Sequence, residues 1–184
     1  MWNLPNLITL LRLFLSLILF VVLHARRDAI AWPLFLVVAA TDWMDGYLAR
    51  RLQKVTQLGR IMDPFADKIL IAGTYIFLAA RPGSEILPWM VVVIVGREML
   101  VTVLRSYLEE QGHDFSANMP GKVKMVLQCA AALGSIWLCQ SLSSTASSPA
   151  WLVPSVRTLV WATLAITVYS GAIYVLAAIR LLRK

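Results

Sequence analysis

The chain has 184 residues, 59% of them hydrophobic and 15% charged, with a net charge of +7 and a mean hydropathy of +0.72. That composition excludes an ordinary soluble enzyme and suits an all-α polytopic membrane protein, one domain of short-looped helices over residues 1–184. It also argues against nucleic acid as a partner. The cations gather at helix ends, where a positive-inside topology and anionic headgroups account for them.

A spanning helix needs about 20 mostly apolar residues. Six segments qualify, at about 5–25, 30–51, 61–81, 86–109, 120–142 and 152–181, which predicts a single bundle of six transmembrane helices. In the first, Asn6, Thr9, Arg12 and Ser16 fall on one arc. The arc reads as seating the segment at the inner membrane surface, with a stripe facing a cavity as the alternative. With Arg12 inside it and no small-residue cleavage pattern after it, the segment is expected to be retained as a span. The second and third segments carry the acidic residues considered below, and the fourth carries Arg97, Glu98 and Arg105. Residues 105–124 read as an inner loop ended by Pro120-Gly121, followed by a basic helix start at Lys122 and Lys124. His113 within it reads as a solvated loop histidine, because no second histidine or cysteine stands near it. Cys129 and Cys139 lie on one predicted helix, roughly 15 Å apart along its axis, too far for a mutual disulfide. Both read as packing residues. The last two spans are the most apolar, separated by a polar turn over Ser141–Ala150.

Lysine and arginine bias sets the orientation. With the N-terminus inside, the inner loops and ends hold Arg50, Arg51, Lys54, Arg60, Lys122, Lys124, Arg180, Arg183 and Lys184. The outer ones hold Arg26, Arg27 and Arg81, beside Asp28 and Glu85. Both termini are therefore expected in the cytoplasm.

One stretch dictates chemistry. Asp42, Asp45, Gly46 and Ala49 recur at i, i+3, i+4 and i+7, and Gly59, Asp63 and Asp67 at i, i+4 and i+8, so each set lies on one helical face. A short loop joins the two segments into a hairpin whose halves can face each other. Carboxylates in or near hydrocarbon are costly and usually mark a site. Four together would repel one another unless divalent cations cancelled the charge. Oxygen-only ligation suits Mg²⁺ or Mn²⁺, and paired metals stabilise attacking and leaving oxygens at phosphorus. Arg50, beside them, can grip a diphosphate. Simple pairing of each aspartate with Arg50, Arg60 or Lys68 is the competing explanation, and it accounts poorly for four acids and two glycines in this pattern.

These residues resemble, position for position, the signature of the CDP-alcohol phosphotransferases, D-x2-D-G-x2-A-R-x8-G-x3-D-x3-D, over residues 42–67. The resemblance implies that Asp42, Asp45, Asp63 and Asp67 hold two divalent metals and that Asp67 is also the general base. It implies a CDP-diacylglycerol site made by Asp42, Gly46, Ala49, Arg50, Gly59 and Thr56. The flanking stretches PNLITLLR (5–12), DPFADK (63–68), GREML (96–100) and GKVK (121–124) resemble one branch of the family. That branch takes CDP-diacylglycerol as donor and sn-glycerol 3-phosphate as acceptor, and makes phosphatidylglycerophosphate and CMP. A sister enzyme with inositol phosphate, serine or another alcohol as acceptor would share the aspartates. The resemblance further implies a homodimer in a bacterial inner membrane, with its site facing the cytoplasm.

An acceptor bearing its own phosphate needs a second cationic pocket, and Arg97, Arg105, Lys122 and Lys124 are the candidates. Glu98, adjacent to Arg97 in sequence, reads as a poor partner for it, which leaves Arg97 to face a cavity. Ion transport is the rival from another class. It fits badly, because the outward acids Asp28 and Glu85 both read as loop residues and the polar groups form a pocket open to one side. An aspartate-rich prenyltransferase would place its acidic motifs far apart in a longer bundle.

Overall fold

A long apolar chain in a medium without water satisfies its backbone N–H and C=O groups within helices or closed barrels. The computed structural model shows the first solution. It describes the backbone of residues 4–52, 57–111, 119–143 and 149–182, and side chains at 7–41, 65–108, 111, 123–143 and 149–181. Among the described residues there are six helices and no strand: α1 (Leu4–His24), α2 (Asp28–Leu52), α3 (Gln57–Ala79), α4 (Pro88–Glu110), α5 (Met119–Ser143) and α6 (Leu152–Leu182). Three contain stretches long and apolar enough to cross a membrane, Leu7–His24, Val123–Ser143 and Leu152–Leu181. α1 thus joins the two expected to be most apolar. α2, α3 and α4 each carry several charges in one half.

The core is apolar, built from Leu19, Phe35, Leu70, Leu78, Ile94 and Ile136 among others. α1 packs against both α2 and α3, and α5 does the same from another side. Among the described residues, α2 and α3 share no extensive contact of their own. α1 and α5 thus each bridge the two helices of the hairpin. Close approach of α1 to α3 depends on Gly73, where a Cβ would sit 2.2 Å from the Phe20 ring.

The polar arc of α1 points inward. Thr9, Arg12 and Ser16 are all buried, and Arg12 is among the largest fully buried side chains. Ser16 donates to the Arg12 carbonyl one turn back, at 2.8 Å. The expectation of an interfacial seat fails for these three residues, because α1 is wedged between two helices and its polar arc lies on the packed side. α4 ends at Glu110 and α5 begins at Met119, within a residue of the predicted bounds, and Pro120 and Gly121 belong to the first turn of α5, where proline loses no hydrogen bond. His113 lies outside the described residues. Cys129 and Cys139 are free thiols, the latter buried.

At the end of the bundle holding the α1–α2 and α3–α4 turns, both acids are paired. Asp28 is not a loop residue: it opens α2, where the helix dipole favours a carboxylate, and it is buried. Arg81 grips both its oxygens, with Nη2 at 2.6 Å. Arg157, from the start of α6, grips Glu85 likewise at 2.8 and 3.2 Å. Trp89 lies tilted against Trp161, and Trp137 meets Trp151 edge to face, the kind of aromatic pairing found at a membrane boundary. Removing one member of a buried pair strands the other. Asp28→Ala should lower stability by about 3 kcal/mol, read as a drop in thermal unfolding temperature in detergent.

Candidate active site

The last three turns of α2 contain Asp42, Asp45, Gly46, Ala49 and Arg50, and the first three turns of α3 contain Gly59, Asp63 and Asp67. Residues 53–56 separate the two helices. Both are continuous through these positions, so the spacings of the signature are helical spacings. The acids therefore sit at neighbouring helix ends, at the end of the bundle away from the Asp28–Arg81 clamp. Thr56 lies outside the described residues, as do the side chains of Asp42, Asp45, Gly46, Ala49, Arg50, Gly59, Asp63 and Lys122.

Asp67 is described, and it is half-buried. The next residue, Lys68, is half-buried too, and lies close enough to Glu98, Asp67, Lys124 and Arg105 for their charges to act on it. The base candidate on α3 therefore borders a cluster of charges from α4 and α5. Three of the four cations expected to bind an acceptor phosphate meet there or beside it.

Their partners were not those expected. Glu98 is an effective partner for Arg97: its Oε1 accepts from Arg97 Nη1 at 3.3 Å. Neighbours on a helix point about 100° apart, yet the arginine stem is long enough to bend the guanidinium back toward the carboxylate. The same Glu98 oxygen takes a short ion pair from Lys124 Nζ. Arg97 also reaches α6, where Nη2 donates to the Ser170 hydroxyl at 2.8 Å. Arg105 Nη2 donates to the Tyr174 hydroxyl at 3.4 Å. Both guanidinium carbons stand 5.7 Å from the Tyr174 ring centroid, within cation–π range. The Nε atoms of Arg97 and Arg105 are buried and lack a hydrogen-bond partner among the described residues. A buried charged donor left unsatisfied is costly, so the cluster is short of an acceptor.

Sequence reasoning missed Ser170 and Tyr174 and misjudged Glu98. The signal for the first two was a hydroxyl, a glycine and a tyrosine at i, i+1 and i+4 within apolar α6. It is too common a pattern to stand out without the fold. The two open clefts described lie elsewhere. One, of about 590 Å³, is lined by Arg81, Ser84, Glu85 and Arg157 at the opposite end. The other, of about 550 Å³, is an apolar groove between α3 and α4.

The donor set suits hard divalent cations: four carboxylates on adjoining helix ends, with no sulfur or imidazole in the signature. The neighbouring cluster suits a phosphate. Comparisons with known proteins give the family. A family model described as CDP-alcohol phosphatidyltransferase matches residues 2–169. The chain is 39% identical over 150 residues to the CDP-diacylglycerol–glycerol-3-phosphate 3-phosphatidyltransferase of Bacillus subtilis, covering 71% of this chain and 75% of that protein. It is 42% identical over 113 residues to the Pseudomonas fluorescens protein of the same name, covering 60% of this chain and 58% of that one. A chloroplastic/mitochondrial enzyme of that name from Arabidopsis thaliana is 33% identical over 163 residues, covering 82% of this chain and 53% of its own.

Glu98 keeps the cations from repelling one another. Glu98→Gln should therefore cost about 2 kcal/mol of stability, and added inorganic phosphate should restore part of the lost thermal unfolding temperature.

Proposed function

Since the chain belongs to the CDP-alcohol phosphatidyltransferase family, we propose that it transfers the phosphatidyl group of CDP-diacylglycerol to sn-glycerol 3-phosphate. The products are phosphatidylglycerophosphate and CMP, so the enzyme serves phospholipid biosynthesis. The observation that carries this reading is the unbroken eight-position signature on adjoining helix ends, with a phosphate-suited basic cluster beside Asp67. Relatives with 31–42% identity bear the name of that activity.

Asp42, Asp45, Asp63 and Asp67 would hold two divalent cations, Mg²⁺ or Mn²⁺. When bound, these would neutralise charge developing on the donor diphosphate. Arg50 grips the same diphosphate from α2, beside Gly46, Ala49, Gly59 and Thr56, which shape the cytidine diphosphate site. Arg97, Arg105, Lys122 and Lys124 hold the acceptor phosphate and so present its 1-hydroxyl to Asp67. Asp67 takes the hydroxyl proton as the oxygen attacks the phosphorus bearing diacylglycerol. The bond from that phosphorus to the CMP oxygen breaks, and CMP leaves.

The chain is a membrane protein, and we place all six helices across the bilayer, with both termini and the site facing the cytoplasm. An active site at the inner end matches the side on which the water-soluble acceptor and product are found. The acyl chains of the donor stay in lipid throughout. A homodimer completes the proposal.

The deciding assay is CMP release by the purified protein from CDP-diacylglycerol, with a panel of alcohol acceptors and either Mg²⁺, Mn²⁺ or a chelator. Glycerol 3-phosphate should be the preferred acceptor, and chelation should stop turnover. Preference for inositol phosphate or serine would move the chain to a sister activity. A general base contributes about 10²- to 10⁴-fold to rate. Asp67→Asn should therefore reduce kcat by at least about 10²-fold while CDP-diacylglycerol binding is largely kept, and near-normal turnover would refute the base assignment.

A further inference from the structure

We infer that one face of α6, made by Ser170, Gly171 and Tyr174, is a positioning device that aims the Arg97 and Arg105 guanidiniums at the phosphate of the acceptor. The inference rests on the reading above, since it presupposes a phosphorylated acceptor. α6 carries no residue of the signature, which ends at Asp67.

Three separate contacts converge on Arg97. The Ser170 hydroxyl accepts from its Nη2 at 2.8 Å, and is itself held by donating to the Thr167 carbonyl at 3.2 Å. Gly171 leaves the space in which the arginine stem lies: a Cβ there would stand 2.7 Å from Arg97 Cγ and 3.3 Å from Nε. The Tyr174 ring then meets the guanidinium at 5.7 Å. Arg105 comes to the same ring, also at 5.7 Å, from two turns further along α4. α4 and α6 run parallel, as the Trp89–Trp161, Arg97–Ser170 and Arg105–Tyr174 pairs show by rising together in number. One tyrosine can therefore serve arginines on successive stretches of a single helix.

What these contacts leave open is as informative as what they use. Each guanidinium spends an Nη on α6, and each keeps a buried Nε without a partner among the described residues. An arginine present only for packing would not be expected to leave such a donor unmet. A phosphate oxygen satisfies it and adds charge-assisted bonding. Glu98 and Asp67 are the acids described near these cations, and Lys68 and Lys124 add positive charge on the remaining sides. The surplus is cationic and suits a dianion. A rigid ring between the two arginines lowers the entropy lost when they close on it.

The test uses the full-length protein in mixed micelles with CDP-diacylglycerol, comparing glycerol 3-phosphate with glycerol as acceptors. The wild type is measured first. If it does not prefer the phosphorylated acceptor, the proposed function fails at that step and the inference falls with it. Given that preference, Tyr174→Leu should raise the acceptor KM about tenfold, the scale of a desolvated cation–π contact. The donor KM and kcat should move less than about twofold. Tyr174→Phe keeps the ring and should recover the acceptor KM to within about threefold of wild type. Gly171→Ala, which pushes on the Arg97 stem, should also raise the acceptor KM and spare the donor. If the leucine variant does not fold, as judged by its thermal unfolding, the Gly171→Ala variant decides. An unchanged acceptor KM in the folded Tyr174→Leu and Gly171→Ala variants, or a donor KM rising in step with it, overturns the inference while leaving the proposed function intact.

Discussion

Charge inside an apolar bundle must be paired or put to use, and this constraint organises the whole molecule. At the end holding the α1–α2 and α3–α4 turns, every described carboxylate meets an arginine two-handed: Asp28 with Arg81 and Glu85 with Arg157. Such closed pairs tie the connections to the bundle. At the other end the balance is different. Glu98 is shared by Lys124 and Arg97, and Arg105 is held by a neutral tyrosine. Positive charge is left only partly cancelled there, next to the helix ends that carry the aspartates.

That asymmetry separates the labour of the helices. α2 and α3 supply the acids, and α1 and α5 each pack against both of these helices. Gly73 shows how close that packing is on the α1 side. α4 supplies arginines, and α6 restrains them through contacts that include no charged partner. Holding arginine with a hydroxyl and an aromatic face has a physical merit: neither cancels the charge, so the guanidinium stays available to an anion. A carboxylate in the same place would compete with the substrate. Glu98 does compete, and one of its two oxygens is already divided between two cations.

Catalysis at a membrane surface also needs one water-facing partner and one lipid-held partner to meet. Helices with apolar halves toward the tryptophan-lined end and charged halves toward the other suit that meeting. It is also the reason α2, α3 and α4 read as weaker spans than α1, α5 and α6. Their charges lower mean hydropathy in the halves where chemistry is expected.

Much of this was legible in the residues alone. Helix number and bounds followed from apolar runs and turn residues, because a backbone in lipid has few alternatives to the helix. The acidic signature was readable because its spacings are helical ones, and a helix turns a spacing into a face without help from the rest of the chain. Contacts between helices were another matter. The burial of Arg12, the clamp on Asp28, the sharing of Glu98 and the cradle of Ser170, Gly171 and Tyr174 all join residues far apart in sequence or depend on which side of a helix is packed. Periodicity ranks the faces of one helix but does not say which neighbour each will meet. The chemistry was therefore written locally, in two adjacent helices, whereas the setting of the arginines that would select its acceptor arose only when α4 and α6 came together.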